Sequence, residues 1–322
     1  MLRESGDYVS GQQLCETFGV SRTAVWKVIN QLKEEGYQLD AVRNRGYRII
    51  DSPDVCTTEE LNSLLKEETD WAGQKICYYP EVDSTNIRAK QLGEAGASHG
   101  TLVIADRQTA GRGRRGRGWN SPSGENIYMS LLLRPEFAPD KAPMLTLVMA
   151  YSVMQGLQSC VQEAKFQIKW PNDIVLNGKK IVGILTEMST EIDYINHVVI
   201  GVGINVNMDE FPGEISEKAT SLRKETGGLV KRAPLAAEIV KRFEVNYKQF
   251  LKVENLSFLR EDYNRMMINC GREVKILGAQ DTFCAHALGI NDEGELLVRR
   301  EDGSIETVYA GEVSVRGLYG YT

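Results

Sequence analysis

The chain has 322 residues, 42% hydrophobic and 25% charged, enough for two or three cores and characteristic of a globular protein, not a fibrous or disordered one. A formal net charge of -6 excludes a protein devoted to coating nucleic acid, yet leaves room for a basic patch on one domain. Six scattered cysteines without a C-x-x-C pair exclude a zinc site and a dense disulfide framework, and no apolar run approaches the roughly 20 residues of a membrane span, so the expectation is a cytoplasmic protein with no membrane partner.

The first fifty residues predict a DNA-binding unit. A helix over Gly11 to Phe18 places Leu14 and Phe18 on one face, and Gly19 ends it. Ser21 suits the N-cap of a second helix running to about Glu35, with Ala24, Val25, Val28, Ile29 and Leu32 as a buried stripe. Two extended segments then flank Asn44, Arg45 and Gly46, the chemistry of a hairpin turn, which gives a helix-turn-helix plus a basic wing over residues 1–52. Ser21, Arg22, Thr23 and Lys27 open the helix that would present side chains to base edges, while Arg43, Arg45 and Arg48 would hold the flanking phosphates. The competing reading is a helical hairpin with a solvated basic face. Only about ten residues precede Gly11, so the first helix expected of a winged helix is short or missing.

Asp51, Ser52 and Pro53 form a joint, and residues 53–268 alternate strands with helices in an α/β manner. Strands are expected at Ile76 to Tyr79, Leu102 to Ala105, Ile127 to Leu133, Gln167 to Trp170, Ile181 to Glu187 and Val198 to Val206. Helices are expected near Asn86 to Glu94, Met144 to Ala164 and Pro234 to Leu251. Residues 269–322 read as short strands with turns at Asn291 to Gly294 and Glu301 to Ser304, a small β-barrel.

Within the central segment, Gln108 to Trp119 reads QTAGRGRRGRGW. Alternating glycine and arginine exclude a helix or a buried strand, permit close backbone approach to a ligand, and offer forked, permanently charged donors to carboxylate or phosphate. Such a loop is expected to be mobile until an anion orders it. It lacks the G-x-x-x-x-G-K-[ST] spacing of a P-loop, and an RGG-like nucleic-acid tail or a merely solvated loop remain as alternatives.

DSTN (Asp83 to Asn86), AGRGRRGRGW, KWPND (Lys169 to Asp173), GKKIVGILTE (Gly178 to Glu187) and GVGINVN (Gly201 to Asn207) occur in the order found in biotin protein ligases. Essentially the whole chain resembles the bifunctional members of that family, which also repress biotin genes. The resemblance implies an α+β multidomain fold: a winged helix-turn-helix, a central ligase domain of the class II synthetase-like biotin/lipoate type, and a C-terminal SH3-like β-barrel. It implies an ATP-dependent ligase that makes biotinyl-5'-AMP and passes biotin to a lysine of a biotin carboxyl carrier protein, of acetyl-CoA carboxylase or a related carboxylase. It further implies a homodimeric repressor that binds operator DNA with the adenylate as corepressor. Biotin and ATP with Mg2+ are substrates in this scheme, with no tightly bound prosthetic group and no resident metal.

Carried over residue by residue, Lys180 and Arg112 match the principal catalytic cations. They would offset repulsion between the biotin carboxylate and the α-phosphate, with Lys169 adding to the field. Ser84, Thr85, Asn86, Gln108, Arg112, Gly113, Arg114 and Lys180 match biotin-binding positions, and Trp119, Lys169, Asn172 and Asn205 match nucleotide contacts. Each has a plainer reading: a helix cap for Ser84 and Thr85, a core tryptophan for Trp119, a solvated cation for any single lysine. A lipoate ligase and a ligand-sensing regulator without catalysis are the rival functions.

Overall fold

Ser10 and Ser21 start the two N-terminal helices by the same device. Ser10 Oγ accepts the Gln13 N–H at the head of α1 (Gly11–Phe18), and Ser21 Oγ accepts the Ala24 N–H at the head of α2 (Arg22–Glu34). Gly19, left-handed at φ 63°, stops α1 and turns the chain. A hairpin of β1 (Gln38–Val42) and β2 (Gly46–Asp51) follows, with Asn44 and Gly46 at positive φ. Val9 pairs with Tyr47, and a Cβ on Gly46 would lie 2.0 Å from the Val9 carbonyl oxygen, so only glycine permits this crossing. Val9, Leu14, Val25 and Ile29 form a small separate core. Among the described residues before Gly11 there is no helix; the bridged strand position of Val9 takes that place.

The computed structural model describes residues 1–2, 5–161, 164–277, 282–310 and 314–317. The chain divides into two compact units, Met1–Asp54 and Val55–Thr322. In the second, α3 (Thr58–Leu65) precedes β3 (Ile76–Val82), α4 (Thr85–Glu94), β4 (Thr101–Gln108), β5 (Ile127–Leu133) and α5 (Met144–Cys160). Four strands follow: β6 (Phe166–Lys169), β7 (Asp173–Leu176), β8 (Lys179–Thr190) and β9 (Ile195–Ile204). Helices α6 (Leu222–Thr226), α7 (Arg232–Val253) and α8 (Arg260–Met266) lead to β10 (Glu273–Leu277), β11 (Thr282–Ile290), β12 (Leu296–Arg299), β13 (Ile305–Val308) and β14 (Ser314–Gly317). Helix α5 ends at Cys160, short of the expected Ala164, and residues 162–163 of that expectation lie outside the described residues.

Seven strands make one sheet in the order β3-β4-β5-β9-β8-β7-β6. The strand-helix alternation expected of a parallel α/β sheet is confined to β3-α4-β4, the one parallel pair; the remaining neighbours are antiparallel. The reason is local: turns such as Asn177-Gly178, both at positive φ, are too short for a crossover. Helices α3, α5 and α7 cover one face of the sheet in the main core, where Gly156 lets α5 approach Ile239 of α7. Helix α4 covers part of the other face over Val103, Leu132 and Val199. The uncovered remainder of that second face is the floor of the cleft described below.

The five C-terminal strands form an antiparallel sheet in the order β13-β12-β11-β10-β14, with turns at Asn291 and Arg300 closing its hairpins. Residues 278–281, 311–313 and 318–322 of the expected β-barrel lie outside the described residues. This sheet packs within the second unit: Trp170 Nε1 donates to the Gly294 carbonyl at 3.0 Å, and Asn264 brackets Ile290 through both its amide atoms.

One buried carboxylate ties α7 to the segment before β3. Glu244 accepts the backbone N–H groups of Asp70, Trp71 and Ala72 at 2.8–3.0 Å and a hydrogen bond from Lys248 at 2.6 Å. Burial alone would raise its pKa, but these donors outweigh it and hold the carboxyl below its ordinary value. A carboxylate with a depressed folded pKa stabilises the fold above its unfolded pKa of about 4.3, and that stability is lost as pH falls. Glu244→Gln is therefore expected to cost about 2–3 kcal/mol in urea unfolding at pH 7, with the gap to the native protein narrowing below about pH 4.

Candidate active site

The pleat of the central sheet aligns Ser130, Gly201 and Leu185 in one row across β5, β9 and β8, and Tyr128, Gly203 and Gly183 in the next. Three glycines thus leave bare backbone on the face not covered by α5 and α7. The indole of Trp119 occupies this surface: a Cβ on Gly183 would fall 2.9 Å from its ring and one on Gly203 2.8 Å from it. The third, Gly201, makes room for Asn86, whose Oδ1 would lie 2.0 Å from an added Cβ. Side chains of almost any other type at these positions would fill the cleft.

Two adjoining lobes open on this floor and share Gly113, Arg114, Trp119, Asn172 and Lys180. The first adds Ser84, Thr85, Asn86, Gln108, Arg112 and Tyr128, so eight residues expected to bind biotin line one lobe together. The second is walled by Asn205, Met208, Phe211, Ile215 and Ala219, with Arg115, Arg117 and Asp173 at its rim. Trp119, Asn172 and Asn205 of the expected nucleotide set face this second lobe. Lys169 does not: it is buried at the end of β6, and the register there puts it opposite Asp173.

Lys180 stands where the lobes meet. Its Nζ lies 2.5 Å from Asp173 Oδ1, across the β7-β8 turn, and 5.3 Å from the centre of the Trp119 ring. Both members of the ion pair are mostly buried, and both line the cleft. Asn172, beside Asp173, donates to the Ile184 carbonyl and accepts from Arg114. Trp119 Nε1 is buried and, among the described residues, has no hydrogen-bond partner.

The glycine-arginine segment is a hairpin with its own backbone hydrogen bonds. Arg112 pairs with Gly118, Gly113 N–H donates to the Arg117 carbonyl, and a tight turn at Arg114–Gly116 uses positive φ at Arg115 and Gly116. The segment is neither an α-helix nor a buried strand but this short exposed ladder, which the glycines make possible. Arg114 leaves the hairpin to reach the Asn172 side chain at 3.0 Å and the Ala310 carbonyl at 2.5 Å, linking the cleft to the C-terminal sheet. Burial lowers its pKa, yet a guanidinium stays charged at neutral pH.

The wall of the first lobe is a chain of hydrogen bonds. Ser121 Oγ donates to the Trp119 carbonyl and accepts from Gln108 Nε2; Gln108 Oε1 accepts the Thr85 N–H. Thr85 Oγ1 meets Ser130 Oγ at 2.8 Å, Ser130 Oγ meets Asn86 Oδ1 at 2.6 Å, and Asn86 Nδ2 donates to Glu187. Ser84 is the N-cap residue of α4 but its side chain makes no cap bond, and it lies buried in the lobe. Asp173, Ser130 and Glu187 were not singled out from sequence. Ser130 carried a signal, as the lone polar residue of IYMSLLL, and Asp173 and Glu187 sit inside quoted motifs.

In the N-terminal unit, Thr23, Lys27 and Arg43 are exposed. Ser21 is engaged as a helix cap, Arg22 donates to Gln12, and Arg45 pairs with Asp7 and stacks 4.3 Å over the Tyr8 ring. A pairing this exposed is weak and leaves Arg45 exchangeable for another anion.

Among known proteins, the biotin/lipoate A/B protein ligase family profile matches residues 78–205, an HTH domain profile residues 1–48, and the biotin protein ligase C-terminal domain profile residues 270–316. The bifunctional ligase/repressor BirA of Bacillus subtilis is 41% identical, over 96% of this chain and 94% of its own length. That of Escherichia coli is 31% identical over 98% and 95%. The structure of Aquifex aeolicus biotin protein ligase in complex with biotin and ATP superposes with a TM-score of 0.67 at 35% identity, covering 76% of this chain and 99% of that one. The chain belongs to the biotin/lipoate A/B protein ligase family and aligns with its bifunctional ligase/repressor members over 94–95% of their length, with matching HTH, ligase and C-terminal domain profiles.

Proposed function

We propose that the protein activates biotin with ATP, transfers it to a lysine of a biotin carboxyl carrier protein, and represses biotin genes while its adenylate is bound. The observation that carries this reading is the position of Lys180 at the junction of two lobes, one lined by hydroxyl and amide groups beside Arg112, Arg114 and Lys180, and one lined by apolar side chains together with Arg115 and Arg117. Biotin, a neutral ureido ring on an apolar tail, suits the first. Adenine and ribose suit the second, whose wall includes Met208, Phe211 and Ile215.

In the first step a biotin carboxylate oxygen attacks the α-phosphorus and the bond to the β-phosphate oxygen breaks, releasing pyrophosphate. Both partners are anions, so Lys180 and Arg112 act by offsetting charge on the phosphoryl oxygens as it grows. Arg114 and Asn172 frame the same point, Trp119 stacks on the nucleotide, and Asn205 faces it; Lys169 contributes only through its field. Magnesium arrives with ATP, and Asp173 is the carboxylate lining that lobe. In the second step the carrier lysine's amine attacks the acyl carbon, the anhydride bond breaks, AMP leaves and the amide loses a proton. The hairpin over the cleft shields the anhydride from water between steps.

The N-terminal unit reads operator DNA through Ser21, Arg22, Thr23 and Lys27, with Arg43 and Arg45 on the phosphates, as a homodimer favoured by the bound adenylate. No helix among the described residues is long and apolar enough to cross a membrane, and ATP, carrier and operator meet in the cytoplasm, where this reading places the protein.

Incubation with ATP, labelled biotin and a carrier domain tests the reading: label should reach the carrier, lipoate should not substitute, and an unlabelled carrier refutes it. Lys180→Ala should slow pyrophosphate release by about one to two decades, the loss of one charge-assisted hydrogen bond, measured at a temperature where the variant, which leaves Asp173 without this partner, is still folded. In gel shifts, biotin with ATP should tighten operator binding, and Lys27→Ala or Arg43→Ala should weaken it and lower the salt slope by about one each if a phosphate contact is lost.

A further inference from the structure

Helix α2 carries one large side chain whose placement the fold of its own unit does not explain. The buried side of this helix is supplied by Val25 and Ile29, which join Val9 and Leu14 in the small core. Trp26 is 59% exposed and does not pack against that core. One exposed apolar residue is ordinary in itself; its surroundings decide what it can do.

At about 3.6 residues per turn, the neighbours of Trp26 on the helix surface are Arg22, Thr23 and Asn30, with Lys27 on the adjoining ridge. Arg22, Thr23 and Lys27 are exposed with it, and Asn30 is half-buried. Val28, the other exposed large apolar residue of α2, lies roughly 160° away around the helix. Trp26 is therefore a single apolar group set among cations and polar groups, not part of an apolar stripe of the kind that docks on another protein.

The complementary surface is an anionic one that carries isolated apolar groups of its own. The major groove of DNA has that make-up: phosphates along both rims, and on its floor the 5-methyl group of each thymine. The indole is uncharged, so it gains nothing from the phosphates that the neighbouring cations attract. What it gains is burial of its ring against a methyl, and that gain depends on the base present.

We infer that Trp26 is a specificity-determining residue, reading a thymine of the operator half-site by contact between its ring and the 5-methyl group. It adds base selection to the positioning supplied by Arg43 and Arg45 on the backbone. The inference rests on the operator-binding reading of this unit.

The test is binding of the full-length protein, with biotin and ATP, to a biotin-gene operator duplex. It is repeated on duplexes in which each thymine of one half-site is replaced in turn by uracil, which lacks only the methyl. The native protein should lose about fourfold in affinity at one or two of these positions, the return of one buried methyl group to water. Trp26→Ala should bind the thymine duplex about tenfold or more weakly and be indifferent to uracil at those same positions, so that the two losses are not additive. Its salt slope, its affinity for an unrelated duplex and its melting temperature should stay at native values, because an exposed neutral ring pairs with no phosphate and holds no core. Native indifference to uracil at every position would overturn the inference, as would additive losses or an equal loss by Trp26→Ala on the unrelated duplex. Operator affinity of the native protein that does not respond to biotin and ATP would overturn the operator-binding reading and this inference with it. A native response beside an unaffected Trp26→Ala variant overturns this inference alone.

Discussion

A sheet face can hold a ligand only where side chains do not already fill it, and here three glycines on two adjacent strands clear that space. Gly183, Gly201 and Gly203 are paired across β8 and β9 in rows with Leu185, Ser130 and Tyr128, and the contacts made over them are too close for any Cβ. Everything else in the site is arranged around that bare backbone. Helix α4 brings Ser84, Thr85 and Asn86 to one end, the β7-β8 turn brings Asp173 and Lys180 to the other, and the arginine hairpin lays Trp119 across the middle. The opposite face is packed by α5 and α7 into the main core, which fixes the register that keeps the glycines aligned.

The chemistry assigned to the site then follows from where charge is kept and where it is excluded. Lys180 is largely buried with Asp173, and a cation so placed acts on a phosphoryl oxygen more strongly than one in water. The end proposed for biotin keeps Glu187 and Lys90 one layer back and lines the lobe with hydroxyls and amides, beside the cations Arg112, Arg114 and Lys180. Arg114 joins both ends to the C-terminal sheet through the Ala310 carbonyl, giving that sheet a direct mechanical link to the cleft.

Much of this was legible in the sequence, for identifiable reasons. Long apolar segments, such as IYMSLLL and the α5 stretch, declared themselves by length and hydrophobicity, and the glycine-arginine segment was recognisable as an irregular loop because no buried element could accommodate it. Four-residue β7, five-residue α6 and seven-residue α8 are too short to show a period, and the antiparallel order of β6 to β9 depends on turns whose closure is a tertiary matter. The eight lobe-lining residues came from motif order; Lys169, expected with the nucleotide contacts, is buried at the end of β6 and lines neither lobe. Ser130 and Glu187 were hidden because their role is relational. A serine in an apolar strand and a glutamate at a strand end gain meaning only when Asn86 is seen between them.

The claim that the glycine floor makes the site is tested most directly by single-turnover pyrophosphate release in Gly203→Ala, whose added methyl would meet the Trp119 indole at 2.8 Å. The account predicts a native-like unfolding transition with adenylate formation slowed by at least tenfold, an effect of about 1.4 kcal/mol or more on the barrier. Release at the native rate from a folded Gly203→Ala protein would contradict it.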